Sequence, residues 1–128
     1  MTNSEKRWEL KRLVHQKLDG KCAYCGYDID LYDFHLDHFI PKRRYKERFQ
    51  NVIVEHGSDG IHNLMPACSS CNSCKSDLTI EEFRERIMDR LNRVNLTSEY
   101  KIAKRFGLIK EMEVDSILFH FEKLNTNG

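Results

Sequence analysis

No stretch of this sequence approaches the roughly 18 consecutive apolar residues that a membrane span requires. The opening residues Met1-Thr2-Asn3-Ser4-Glu5-Lys6-Arg7 also lack the apolar core of a secretory signal. Both absences predict an intracellular, cytoplasmic protein with no membrane partner. Net charge is lacking too: 21 Lys+Arg stand against 20 Asp+Glu, a formal balance of +1. A strongly basic chain would announce a nucleic-acid partner through its overall field, so here any such contact must rest on local clustering. There is no internal repeat and no low-complexity tract beyond a polar tail at 125–128. With 128 residues the chain has room for one compact core and one active site.

What the sequence does have is cysteine, five residues in all. In a reducing compartment these are poor candidates for disulfide staples, and their grouping at paired spacing points to a metal. Cys22/Cys25 and Cys68/Cys71 are two Cys-x-x-Cys knuckles, each half of a clasp around one tetrahedral Zn²⁺. The stretch between them is longer than in a simple zinc ribbon, so something is built inside the clasp. Cys74 makes a competing pair with Cys71. On a helix that starts near residue 71 it would lie a turn further on, which favours Cys68 and Cys71 as ligands and leaves Cys74 spare.

Around the knuckles the patterning predicts an α+β chain. Residues 4–18 carry Trp8, Leu10, Leu13, Val14 and Leu18 at roughly helical spacing, and Asp19-Gly20 supplies a stop. Phe34 to Ile40 reads as a short strand ended by Pro41, and a strand from Asn63 to Ala67 leads into a helix near Asn72. The loop from Lys42 to Gly60 holds a candidate strand at 52–54 and turn signals at 57–60. Thr79 with Glu82 has the capping-box pattern, with Phe83, Ile87 and Leu91 following at intervals of four. Residues 97–106 and 114–124 read as two further helices split by Gly107. The expected organisation is an N-terminal helix (1–20) packed on a core (21–78), then a C-terminal helical extension (79–128).

Between the knuckles lies Leu36-Asp37-His38-Phe39-Ile40-Pro41-Lys42, then Asn63-Leu64, and after the second knuckle Asn72 with Lys75 three positions on. Taken in order over residues 21–76, this set resembles the HNH branch of the His-Me finger (ββα-metal) nucleases. The resemblance implies a small zinc-stapled ββα core and an endonuclease that hydrolyses phosphodiester bonds in DNA. It implies that His38 is the general base, that Asp37 and Asn72 hold a catalytic Mg²⁺ or Mn²⁺, and that Asn63 braces the loop carrying His38. The chemistry agrees: an imidazole can take a proton from water near neutral pH, and carboxylate and amide oxygens suit hard divalent cations. Such a cation stabilises the departing oxygen. Two departures stand out. Asn72 occupies a position where many relatives have His, and the long loop lacks the paired glycines often found there.

Lys42-Arg43-Arg44-Tyr45-Lys46-Glu47-Arg48 places five basic residues against one acid directly after the His38 strand. Lys42, Arg43 and Arg44 are expected to contact phosphate, and so is Lys75, on one helix face with Asn72. His62 is the substitute base should His38 not serve, while His15, His56 and His120 carry no motif. A non-catalytic zinc module that grips nucleic acid or protein would need the cysteines and basic residues, but neither Asp37-His38 nor Asn72. A third reading is a nuclease that works only with a partner. The C-terminal helices would then be the surface for a second copy or another protein.

Overall fold

The structure, a computed structural model, describes residues 1–42 and 56–126. The basic run beyond Lys42, with Arg43 and Arg44, and the candidate strand at 52–54 lie outside the described residues. Helix α1 (Asn3–Lys17) is followed by strand β1 (His35–His38), a 3-10 turn (Ile61–Asn63) and strand β2 (Leu64–Ala67). Helices α2 (Ser69–Lys75), α3 (Ile80–Met88), α4 (Arg90–Val94), α5 (Ser98–Arg105) and α6 (His120–Thr126) complete the order. None of the described helices is long and apolar enough to cross a membrane.

Helix α1 begins at a full capping box: Thr2 accepts from the Glu5 amide at 3.1 Å and Glu5 accepts from the Thr2 amide at 3.4 Å. It stops where Asp19 and Gly20 turn to positive φ, 55° and 75°. Val14 on this helix is buried against Phe34 and Leu64, and Leu18, just beyond its end, joins the larger core. Trp8 and Leu13, expected on the same stripe, remain about two-fifths exposed. Trp8 instead stacks on Tyr32 at 5.3 Å.

Strands β1 and β2 are antiparallel, with Asp37 opposite Met65 and His38 opposite Leu64. Pro66 is tolerated because a two-stranded sheet is all edge, and its carbonyl is used by the Ala23 amide at 2.8 Å, which ties the first knuckle to β2. Helix α2 follows β2 directly and completes a ββα unit.

The main core joins Leu18, Cys22, Ala23, Tyr24, Ala67, Phe83 and Phe119. Phe83 stacks on Phe119 at 5.0 Å, and Tyr24 meets both rings edge-on. A second capping box, Thr79 with Glu82, starts α3. That helix ends at Met88, so Leu91 falls on α4 and is 41% exposed rather than extending the Phe83/Ile87 stripe. The helix expected over 114–124 is also corrected: only His120–Thr126 is helical. The amides of His120 and Phe121 donate to the carbonyls of Tyr24 and Ala23, at 3.0 and 2.9 Å, which lays the start of α6 along the knuckle.

Candidate active site and metal centre

Two tight turns bring the paired cysteines together. In the first, the Gly26 amide donates to the Cys22 carbonyl at 3.0 Å, with Gly26 at φ 80°. A side chain at Gly26 would be strained in that conformation and would meet the His120 ring at 3.1 Å. In the second, Cys68 caps α2, and its sulfur accepts from the Cys71 amide at 3.4 Å. The ligand sulfurs of Cys22, Cys25, Cys68 and Cys71 all lie within 4.8 Å of one another, and Cys25 and Cys68 are 3.8 Å apart. A tetrahedral zinc with bonds of about 2.3 Å places its sulfurs roughly 3.8 Å apart, so the cluster can hold a zinc with little adjustment. The Cys22 thiol is pushed down to about 4, chiefly by a hydrogen bond from Cys71, helped by main-chain amides including that of Cys68. Cys71, which keeps that proton, is pushed up. Cys74 stands outside the cluster, its sulfur accepting from Arg90 at 2.8 Å.

The second constellation lies at the end of β1. Asp37 is 5% exposed, and its Oδ2 accepts from the Tyr24 hydroxyl and from Lys75 Nζ, the latter at 3.1 Å. Burial pushes the Asp37 carboxyl above its ordinary range, opposed by the Lys75 charge and the Tyr24 hydroxyl. Burial and the adjacent Asp37 charge push the Tyr24 phenol up, so it remains a donor. Lys75 is fully buried and also donates to the His38 carbonyl at 2.9 Å. Its expected place on the surface, in reach of phosphate, is therefore corrected: α2 packs this side chain inward, where the Asp37 carboxylate takes up its charge.

His38 Nε2 lies 2.9 Å from Asp59 Oδ1, and the other Asp59 oxygen accepts from Lys42 at 2.8 Å. Hydrogen bonds from Lys42 and His38 hold the Asp59 carboxyl below its usual range. Among the described residues, no hydrogen bond reaches His38 Nδ1. Asn63, 5% exposed, locks the chain beyond His38. Its side chain accepts from the Ile40 amide at 2.8 Å and donates to the carbonyls of Ile40 and Ser58 at 3.0 and 2.9 Å. The approach is so close that a Cβ on Gly57 would sit 1.6 Å from the Ile40 oxygen.

Asp37, His38 and Asn72 line one open cleft of about 430 Å³, together with Lys42, Ser76 and Asp77 among others. His35 and His62 are exposed, and neither lines it; His62 sits near Ser58 at 3.3 Å. Tyr24 and Asp59 escape a reading of sequence. Tyr24 is hidden among knuckle residues, although a tyrosine within a Cys-x-x-Cys turn is a usable signal. Asp59 sits in a turn whose composition accounts for it without any role.

A two-stranded antiparallel sheet followed by a helix, clasped by two cysteine knuckles, with a histidine and a carboxylate at the strand's end, defines a ββα finger with a four-cysteine clasp. Comparison with known proteins agrees: the HNH endonuclease family model matches residues 22–78. A protein named as an SPbeta prophage-derived HNH endonuclease, YoqL, from Bacillus subtilis (strain 168) is 32% identical over 130 residues. That match covers 87% of this chain, and the chain spans about half (52%) of that relative's length. In fold, the chain is similar to part of the Type II-C Cas9 enzyme from Actinomyces naeslundii. There the TM-score is 0.50 at 18% identity, over 84% of this chain and 12% of that one.

Proposed function

We propose that this protein is a metal-dependent endonuclease that hydrolyses phosphodiester bonds in DNA. The observation that carries the reading is the convergence of Asp37, His38 and Asn72 on one cleft of an HNH-family finger. Asp37 and the amide oxygen of Asn72 are the donors for a Mg²⁺ or Mn²⁺, hard oxygens suited to a hard cation. That cation, when bound, supplies charge stabilisation to the scissile phosphate and the departing oxygen. His38 takes the proton from the attacking water through Nδ1. Its Nε2–H is held by Asp59, which keeps the proton on the far nitrogen and the ring aimed. Asn63 holds the chain after His38 in place. Lys42, Arg43 and Arg44 contact the DNA backbone. Zinc in the four-cysteine clasp is structural, and five free cysteines suit a reducing, intracellular setting.

The test is incubation of zinc-loaded protein with supercoiled plasmid and a branched DNA substrate, in Mg²⁺ or Mn²⁺ and with excess chelator. Cleavage that needs the divalent cation and disappears in His38→Ala supports the reading. No cleavage under any condition would favour a non-catalytic module or a partner-dependent enzyme. One observation favours the partner-dependent form: Leu96, Phe106, Leu108 and Met112 are each 76–80% exposed along the C-terminal half.

A further inference from the structure

The buried contacts behind the cleft go beyond the assignment of ligands and base. We propose that Tyr24 and Lys75 are positioning residues that mount the Asp37 carboxylate on the four-cysteine clasp, an inference that rests on Asp37 being a ligand of the catalytic cation. Tyr24 lies inside the first knuckle, between Cys22 and Cys25, and Lys75 follows Cys71 by four residues on α2. The first knuckle and the helix that carries the second therefore each send one donor to the same oxygen, Asp37 Oδ2. Asp37 itself lines the cleft. Lys75 also grips the His38 carbonyl at 2.9 Å, so one side chain sets the ligand and the main chain of the proposed base together.

Neither donor has freedom to drift. Tyr24 is 3% exposed, its ring meets Phe83 and Phe119 edge-on at 5.3 and 5.5 Å, and its carbonyl accepts from the His120 amide at 3.0 Å. Lys75 is 0% exposed. Stability alone does not explain such an arrangement. A buried ion pair is commonly no more stabilising than apolar residues of the same volume, and its attested use is to specify one geometry. Here the geometry specified is that of the two adjacent residues lining the cleft. Groups that hold a metal ligand from behind fix its orientation, and their loss typically reduces metal affinity or activity 10- to 100-fold.

The experiment uses the zinc-loaded full chain with Mn²⁺ as the probe. Free Mn²⁺ is read by its EPR signal, and plasmid cleavage is followed in parallel. Tyr24→Phe deletes only the hydroxyl. It is expected to retain zinc, melting behaviour and the wild-type KM for DNA, while Mn²⁺ affinity and kcat each fall about 10-fold or more. Lys75→Met should show the same loss of Mn²⁺ affinity and kcat, on a less stable fold because Asp37 loses its buried counter-charge, and where it fails to fold, Tyr24→Phe decides. Asp37→Ala is the reference. If Asp37→Ala abolishes Mn²⁺ binding while Tyr24→Phe binds and cleaves as wild type, the positioning role is overturned and the ligand assignment stands. If Asp37→Ala itself binds Mn²⁺ as wild type does, Asp37 is not the ligand, and the proposal falls with that reading.

Discussion

The clasp and the cleft are both clusters of potential metal donors within one small domain, yet they are assembled in opposite ways. The four clasp sulfurs come from two turns, each spanning four consecutive residues; within the second the Cys71 amide is aimed at the Cys68 sulfur, and the Cys68 amide reaches across to the Cys22 sulfur. The cleft is lined by Asp37 and His38 from β1 and Asn72 from α2, while Asp59 meets His38 and Asn63 meets Ile40 from the returning loop and Lys75 of α2 meets Asp37 from behind. Soft thiolates suit zinc, whereas the hard oxygens proposed as donors in the cleft suit magnesium or manganese. The difference teaches that a locally built site can serve as foundation for one built at long range. The clasp is formed by backbone geometry, and the cleft then hangs from it through Tyr24 and Lys75.

The largest effect is expected at the clasp. Cys68→Ser should lose zinc and most of the fold, since structural zinc contributes on the order of 10 kcal/mol to small domains. Cys74→Ser should keep both, as its sulfur touches Arg90 and not the cluster. Elemental analysis with thermal melting checks the pair, and an exchange of behaviour would put Cys74 in the ligand set.

At the cleft the loss should be of rate and not of fold. His38→Ala is expected to slow cleavage by about 10² to 10⁴, the range for a lost general base, with zinc content, melting and Mn²⁺ binding near wild type. Wild-type cleavage by this variant, after controls for contaminating nuclease, would remove His38 from the role.

The link between the two regions can be measured as a cycle. Lys75→Met leaves Asp37 buried without its counter-charge and should cost about 3–5 kcal/mol of stability by chemical denaturation. Adding Asp37→Leu should recover much of that loss, because both buried charges are then gone. If the double variant is as unstable as the single one, the Lys75 stem and not its charge is what the fold needs.

A smaller effect is expected where the C-terminal segment is pinned behind Tyr24. Arg84 reaches both Glu122 oxygens at 2.8 Å and the Ile117 carbonyl at 2.6 Å. Hydrogen bonds from Arg84 hold the Glu122 carboxyl below its ordinary value of about 4.5. The sign follows: a depressed folded-state pKa adds stability that is complete above the ordinary value and lost as pH falls through the depressed one. Glu122→Gln should therefore cost about 1–3 kcal/mol at neutral pH, and the difference from wild type should shrink on acidification below about pH 4.5. A difference that persisted at lower pH would mean that the carboxylate charge is not what Arg84 reads.

The smallest change concerns neither metal site. Replacing Arg43 and Arg44 by Ala should leave folding intact and flatten the salt dependence of DNA binding by roughly two in the log–log slope, about 0.9 for each phosphate contact. An unchanged slope would place the backbone contact on another part of the surface.

The sequence by itself determined the parts that rest on short-range geometry. The knuckles, the Thr79–Glu82 capping box, the Asp19-Gly20 stop and the strand–strand–helix order are legible because spacing and turn chemistry within a few residues decide them. Tertiary structure alone decided which way Lys75 points. Helical spacing puts it on a face with Asn72 but does not say whether that face meets solvent or the β1 carboxylate, and in the fold Asp37 and its own burial draw the ammonium inward. It also decided that Asp59 meets His38 across the loop, and that residues 119–121 lie along the first knuckle where a longer helix had been expected. These outcomes turn on backbone and side-chain groups brought together from far apart in the chain. Periodicity has no term for such partners, because hydrogen bonds and buried charges are satisfied only once the whole domain has closed around them.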